Sequence, residues 1–217
     1  MPGVGKKVKK KICEQVYQAF GGNLYEVIIG GAALNQEIES FLKDIDFPFT
    51  VGYGATECAP IITYSDWHDF VPMSCGREVV HMEVKIDSEN PETVPGEILA
   101  RGLNVMLGYY KNDEATAQTI DKDGWYHTGD LGLMDKGGNV FIKGRSKNML
   151  LGPNGQNIYP EEIEDKLNSM TFAMESVVVQ RDGKLVGLVH PDFDEVQAMG
   201  LSRDDLQSLM EENRVQV

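Results

Sequence analysis

The sequence predicts α/β and α+β structure in succession: a parallel α/β layer, then a distorted antiparallel β subdomain, then the start of a small α+β domain. Three observations carry this. Apolar residues recur at helical spacing twice in the first 45 positions, each time followed by a short apolar run. Between roughly positions 80 and 145 the pattern turns to period-two alternation broken by Gly-rich turns. After Arg145 helix and strand signals alternate once more. The domain boundary is therefore expected at 1–145 and 146–217.

In chain order, Val8, Ile12, Val16 and Phe20 form the apolar stripe of a helix stopped by Gly21-Gly22. Tyr25–Ile29 reads as a buried strand entering the turn at 30–33. Asn35 is suited to cap a helix with Ile38, Phe41, Leu42 and Ile45 on its buried face. Phe47–Tyr53 is a second strand. Met82, Val84 and Ile86 alternate as on a half-exposed strand, and Glu97–Arg101, Trp125–His127 and Asn139–Lys143 read as further strands. A short helix is expected at Asp113–Ile120, and a turn at Asp135–Gly138. Pro160 ahead of Glu161 and Glu162 starts a helix, because Pro suits its first position and carboxylates suit its positive end. Val177–Val179 and Leu185–Val189 pair around Asp182-Gly183. Ser202 caps a last helix, stapled by Leu201 and Leu206.

Composition excludes several classes. The 217 residues are 41% hydrophobic and 25% charged, which suits a packed core. A net charge of −14 argues against a nucleic-acid partner, whose phosphates need concentrated positive charge. Cys13, Cys58 and Cys75 lack metal-ligand spacing and read as reduced thiols. With no apolar run of spanning length and no signal-peptide pattern, the expectation is a cytoplasmic protein without a transmembrane segment; peripheral membrane contact is compatible with it.

Four stretches carry chemistry. In Gly52-Tyr53-Gly54-Ala55-Thr56-Glu57, flanking glycines let a flat ligand approach while the ring stacks on it. The threonine hydroxyl suits a phosphate oxygen, and the carboxylate suits Mg²⁺, a hard cation. In Tyr126-His127-Thr128-Gly129-Asp130, a carboxylate at a tight turn can accept both ribose hydroxyls; the plainer alternative is a hairpin turn with a self-bonding Asp. Gly144-Arg145-Ser146-Lys147 offers a fixed fork of donors, and Asn154–Glu164 leads into the Pro160 helix. Gly3-Val4-Gly5-Lys6 lacks the spacer and preceding strand of a phosphate loop and is discounted. Asp66, His68 and Asp69 read as a polar loop, Cys58 as a lining residue, and His190 as a strand end.

Together these stretches resemble the AMP-forming acyl-CoA synthetases, with Ile29–Leu34 similar to that family's adenine-side turn and Asn154–Glu164 similar to its long-chain fatty-acid branch. Ala33 and His127 stand where the family commonly has Pro and Arg. The resemblance implies that residues 1–145 form the C-terminal portion of a large AMP-binding domain and 146–217 an incomplete lid domain. It implies a ligase that uses ATP, Mg²⁺ and CoA to convert a fatty acid, of the long-chain class, to its thioester, releasing AMP and pyrophosphate.

By matched positions, Gly31 and Ala32 lie along adenine and Tyr53 stacks on it, with Ile142 against it. Thr56 bonds the α-phosphate, Glu57 binds Mg²⁺, and Asp130 holds the ribose with help from Arg145. Lys147 is the hinge and Gly155 belongs to the CoA loop. The family's upstream phosphate loop and its downstream catalytic lysine find no match, so the chain reads as truncated at both ends and inactive by itself. Alternatives are an adenylation domain loading a carrier protein, or a nucleotide-binding module without catalysis.

Overall fold

The computed structural model describes residues 5–152 and 154–216, in two compact units that divide between Ile142 and Lys143. In the first unit, α1 (Lys6–Ala19) leads to β1 (Val27–Ile29), α2 (Gln36–Asp44) and β2 (Phe49–Val51). β1 and β2 pair in parallel, which requires the crossover helix between them. Asn35 caps α2 as its side chain predicts, its Oδ1 accepting from Glu37 N and Ile38 N at 2.8 and 3.2 Å. From the two predicted stripes Ile12, Val16, Phe41 and Leu42 pack on Ile45, Phe47 and Phe49, while Val8, Phe20 and Ile38 remain exposed. Of the discounted loop, Gly3 and Val4 lie outside the described residues, and Lys6 opens α1.

The expected single strand over 47–53 is two strands. β3 (Tyr53–Gly54) leaves the parallel pair at Gly52 and joins an antiparallel sheet with β4 (Ile61–Tyr64) and β5 (Arg77–Glu78). Next comes the sheet that anchors the unit, in the order β6 (Met82–Asp87), β7 (Gly96–Gly102), β8 (Tyr126–Met134) and β9 (Val140–Arg145), with α3 (Asp113–Thr119) inserted before β8. β6 keeps strict alternation: Met82, Val84 and Ile86 are buried and their neighbours exposed, because side chains on a strand point to opposite faces. They pack with Ile98, Ala100, Tyr126 and Val140.

The second unit contains β10 (Leu150–Leu151), β11 (Asn157–Ile158), α4 (Pro160–Asn168), β12 (Ala173–Arg181), β13 (Lys184–Pro191), α5 (Phe193–Ala198) and α6 (Arg203–Gln216). β12 and β13 form the predicted hairpin, with Asp182 and Gly183 both at positive φ. Ser202 Oγ accepts from Asp205 N while Asp205 Oδ2 accepts from Ser202 N, a reciprocal cap on α6. Leu206 is buried with Phe172 and Val196, and Leu201 packs against them. α5 has no counterpart in the sequence pattern; Asp192 starts it by accepting from Asp194 N and Glu195 N. Among the described residues no helix is long and apolar enough to cross a membrane.

Candidate functional site

The first-unit candidates converge at the ends of β2 and β3. Gly52 N donates to Ile29 O at 2.9 Å, which sets the 30–33 turn beside the 52–57 motif. Gly31, Ala32 and Ala33 are exposed on that turn. At Gly54 the chain crosses its own return strand so closely that a Cβ would lie 2.2 Å from Pro60 O; only glycine fits. Thr56–Cys58 then form a 3-10 turn closed by Ala59 at φ 55°. This presents Thr56 to solvent and leaves Glu57 half-buried.

Asp130 reaches the same place from β8. The register of β7 against β8 jumps between Glu97↔Leu131 and Leu99↔His127, so β8 bulges at Thr128–Asp130. Gly129 sits there at φ 71°, a conformation that favours glycine. Three side chains brace the bulge. Glu97 Oε1 accepts from Gly129 N at 2.9 Å, and its Oε2 lies 2.9 Å from His127 Nδ1. Thr128 Oγ1 donates to Ile98 O at 2.8 Å and accepts from Asp130 N at 3.0 Å. The expected tight turn is therefore an in-strand bulge, because Glu97 supplies the partners that a turn would draw from its own backbone.

Tyr53 and Asp130, 77 positions apart, are joined directly: the phenol donates to Asp130 Oδ2 at 2.6 Å. Tyr53 is buried, at 7% exposure, and packs in the core cluster rather than offering the open face that stacking on adenine expects. Burial first, and the Asp130 carboxylate second, push the phenol's pKa up, so Tyr53 keeps its proton and remains a donor.

Glu57 is held by phenols that sequence reasoning missed. Tyr109 OH donates to Glu57 Oε1 at 2.7 Å. Tyr126 also faces the carboxylate; burial and then Glu57 raise its pKa, so it too stays protonated. Tyr109 follows strand β7 in a loop whose sequence has no periodicity to mark it.

Ile142 stands on β9, 40% exposed. Arg145, Lys147 and Gly155 belong to the second unit and are exposed there. Arg145 N donates to Glu161 Oε1 at 3.3 Å, Asn148 Nδ2 to the same oxygen at 2.7 Å, and Lys143 Nζ meets Glu162 Oε1 at 2.8 Å. The two carboxylates expected to complement the α4 dipole thus also fasten the segment before it.

Asp66 accepts from His68 N at 3.0 Å, and this bond leads the interactions that hold its carboxyl down at about 2. Among the described residues no group of three or more His, Cys, Asp and Glu side chains gathers as metal ligands.

Residues 5–110 match the model of the family described as AMP-binding enzyme. Those residues, just under half of the chain, belong to that family. Its relatives include the long-chain-fatty-acid–CoA ligase of Escherichia coli, 37% identical over 178 residues, which are 79% of this chain and 28% of that one. The 4-coumarate–CoA ligase 1 of Glycine max is 38% identical over 177 residues, 76% of this chain and 60% of that protein. Among solved structures, ATP-bound MatB from Rhodopseudomonas palustris superposes with a TM-score of 0.70 at 27% identity, covering 87% of this chain and 40% of MatB. The chain thus spans less than two thirds of the length of each.

Proposed function

We propose that the chain provides the AMP-binding surface of an acid–CoA ligase that activates a long-chain fatty acid with ATP and passes it to CoA. The observation that best supports this reading is the Tyr53–Asp130 hydrogen bond, which joins the base-side and ribose-side motifs at 2.6 Å. In the reading, Gly31 and Ala32 border the adenine and Ile142 lies against it. Asp130, braced at its bulge, accepts the ribose hydroxyls. Thr56, exposed on its 3-10 turn, donates to the α-phosphate, and Arg145 adds a fork of donors.

Glu57 suits Mg²⁺, which usually takes one or two carboxylates and completes its shell with phosphate and water. The cation, when bound, neutralises phosphate charge; the protein's own part is to position the reacting groups and exclude misalignment. The division near Ile142–Lys143 supports a lid domain beginning at 146, with Lys147 as hinge and Gly155 in the loop that meets CoA. The setting is cytoplasmic.

The Glycine max relative supports a second reading for the acid, an aromatic rather than an aliphatic one. Calorimetry on the chain distinguishes these. AMP binds the wild type, and Asp130→Ala weakens it roughly ten- to hundredfold, the worth of hydrogen bonds to a charged group. A dodecanoyl sulfamoyl-adenosine binds more tightly than its 4-coumaroyl counterpart. The reverse order selects the aromatic acid; no AMP binding sinks the site.

A further inference from the structure

We infer that the segment Asn104–Tyr109 is a clasp that positions Glu57, with Tyr109 setting the orientation of its carboxylate for a divalent cation. This rests on the reading of Glu57 given above and goes beyond it.

The clasp grips the Thr56–Cys58 turn at three levels. Asn104 Nδ2 donates to Cys58 O at 2.6 Å and to Ile61 O at 2.9 Å. Met106 N donates to Glu57 O at 2.7 Å. Tyr109 OH donates to Glu57 Oε1 at 2.7 Å. The three bonds from Asn104 and Met106 end on backbone carbonyls, whereas the one from Tyr109 fixes a side chain. Leu103 and Leu107 point outward, at 89% and 103% exposure, so besides Val105, which packs on the core, the segment is held by its polar grip.

Tyr109 is itself anchored. Its backbone N donates to Thr116 Oγ1 at 2.9 Å, and that hydroxyl donates to Asn112 O at 2.9 Å. Asn112 caps α3, so the phenol is referenced to a helix rather than to a loose loop. At Gly108 a Cβ would lie 2.8 Å from Thr116 Cγ2, which shows how closely the chain approaches α3 there. A carboxylate offers about four acceptor positions and can serve a phenol and a cation together. Holding a long Glu side chain in one rotamer beforehand removes an entropic cost from cation binding. Tyr109 is therefore a positioning residue, acting on the metal through Glu57.

The test is calorimetry of the whole chain with ATP in Mg²⁺, with ATP in EDTA, and with AMP. Wild type binds ATP more tightly in Mg²⁺. Tyr109→Phe loses about three- to tenfold of that gain, the range for one hydrogen bond, while AMP affinity and melting temperature stay close to wild type. Tyr110→Phe, at a neighbouring ring 88% exposed, keeps the full gain. Asn104→Ala, at the other end of the clasp, loses a smaller part of it; should Tyr109→Phe not fold, the Mg²⁺ gain of this variant decides. An undiminished Mg²⁺ gain in the clasp variants overturns the inference and leaves the AMP site standing. Equal loss of AMP and Mg–ATP affinity also overturns it, since that marks a general structural role. No Mg²⁺ gain in the wild type removes Glu57 as the cation's ligand, and the inference with it.

Discussion

Cys58 lies one position beyond Glu57, where a nucleophile would stand close to a bound phosphate, yet its surroundings make it inert. It is fully buried, and burial first, then the Glu57 charge, pushes its thiol up to about 11. Cys75 is raised to about 11 by burial and then by Glu39. At pH 8 only about one such thiol in a thousand is ionised, and the thiolate is the reactive form. Maleimide at pH 8 should therefore label Cys13, which is only partly buried, and leave Cys58 and Cys75 unmodified until the chain unfolds. Rapid labelling of Cys58, read by peptide mass spectrometry, would refute this. The same shifts have a consequence for stability. Both folded-state values lie above the ordinary 9.0, so the contribution is whole below pH 9 and is lost as pH rises through about 11. A Cys58→Ala, Cys75→Ala double variant should show a shallower fall in melting temperature across that interval.

Elements that announce themselves by periodicity were legible: the helix α1, the capped α2, the alternation of β6 and the hairpin of β12 and β13. What escaped depends on partners remote in sequence. The break at Gly52 comes from β3 pairing with β4 rather than β1, and no local pattern distinguishes the two. The bulge at Gly129 depends on Glu97, and the clasp on Tyr109 reaching back 52 positions to Glu57. Likewise the motif residues could be named from the chain, but the bonds joining them could not. Gly54 shows how much a short element can hold. Gly54→Ala places a Cβ 2.2 Å from Pro60 O and 2.8 Å from its carbon, backbone atoms that cannot swing aside. The β3–β4 crossing must open, costing roughly 2–4 kcal/mol. Gly155→Ala meets nothing within 4 Å and bears only the penalty of φ 76°, about 1–2 kcal/mol. Denaturant midpoints of the two variants should rank in that order, and equal midpoints would show that the crossing tolerates a side chain.

At the scale of the whole chain, the two units differ in how much core they own. The first joins two clusters through Leu34 and Phe70, and its central cluster contains Ile62, Ile98, Ala100 and Val140, all at or near complete burial. The second has Phe172, Val196 and Leu206 as its buried cluster, while Met174, Val177, Leu185 and Leu188 on its hairpin remain exposed. Small units bury a smaller fraction of their surface and are correspondingly marginal. The second unit should therefore unfold at lower temperature than the first, and the chain supplies its own way to see this. Both tryptophans, Trp67 and Trp125, lie in the first unit, so their fluorescence is blind to the second. Far-UV circular dichroism records both. On heating, the dichroism signal should begin to fall before the fluorescence does, because α4, α5 and α6 melt while the tryptophans are still enclosed. Coincident transitions would mean that the chain unfolds as one cooperative body, and that the division after Ile142 has no energetic counterpart.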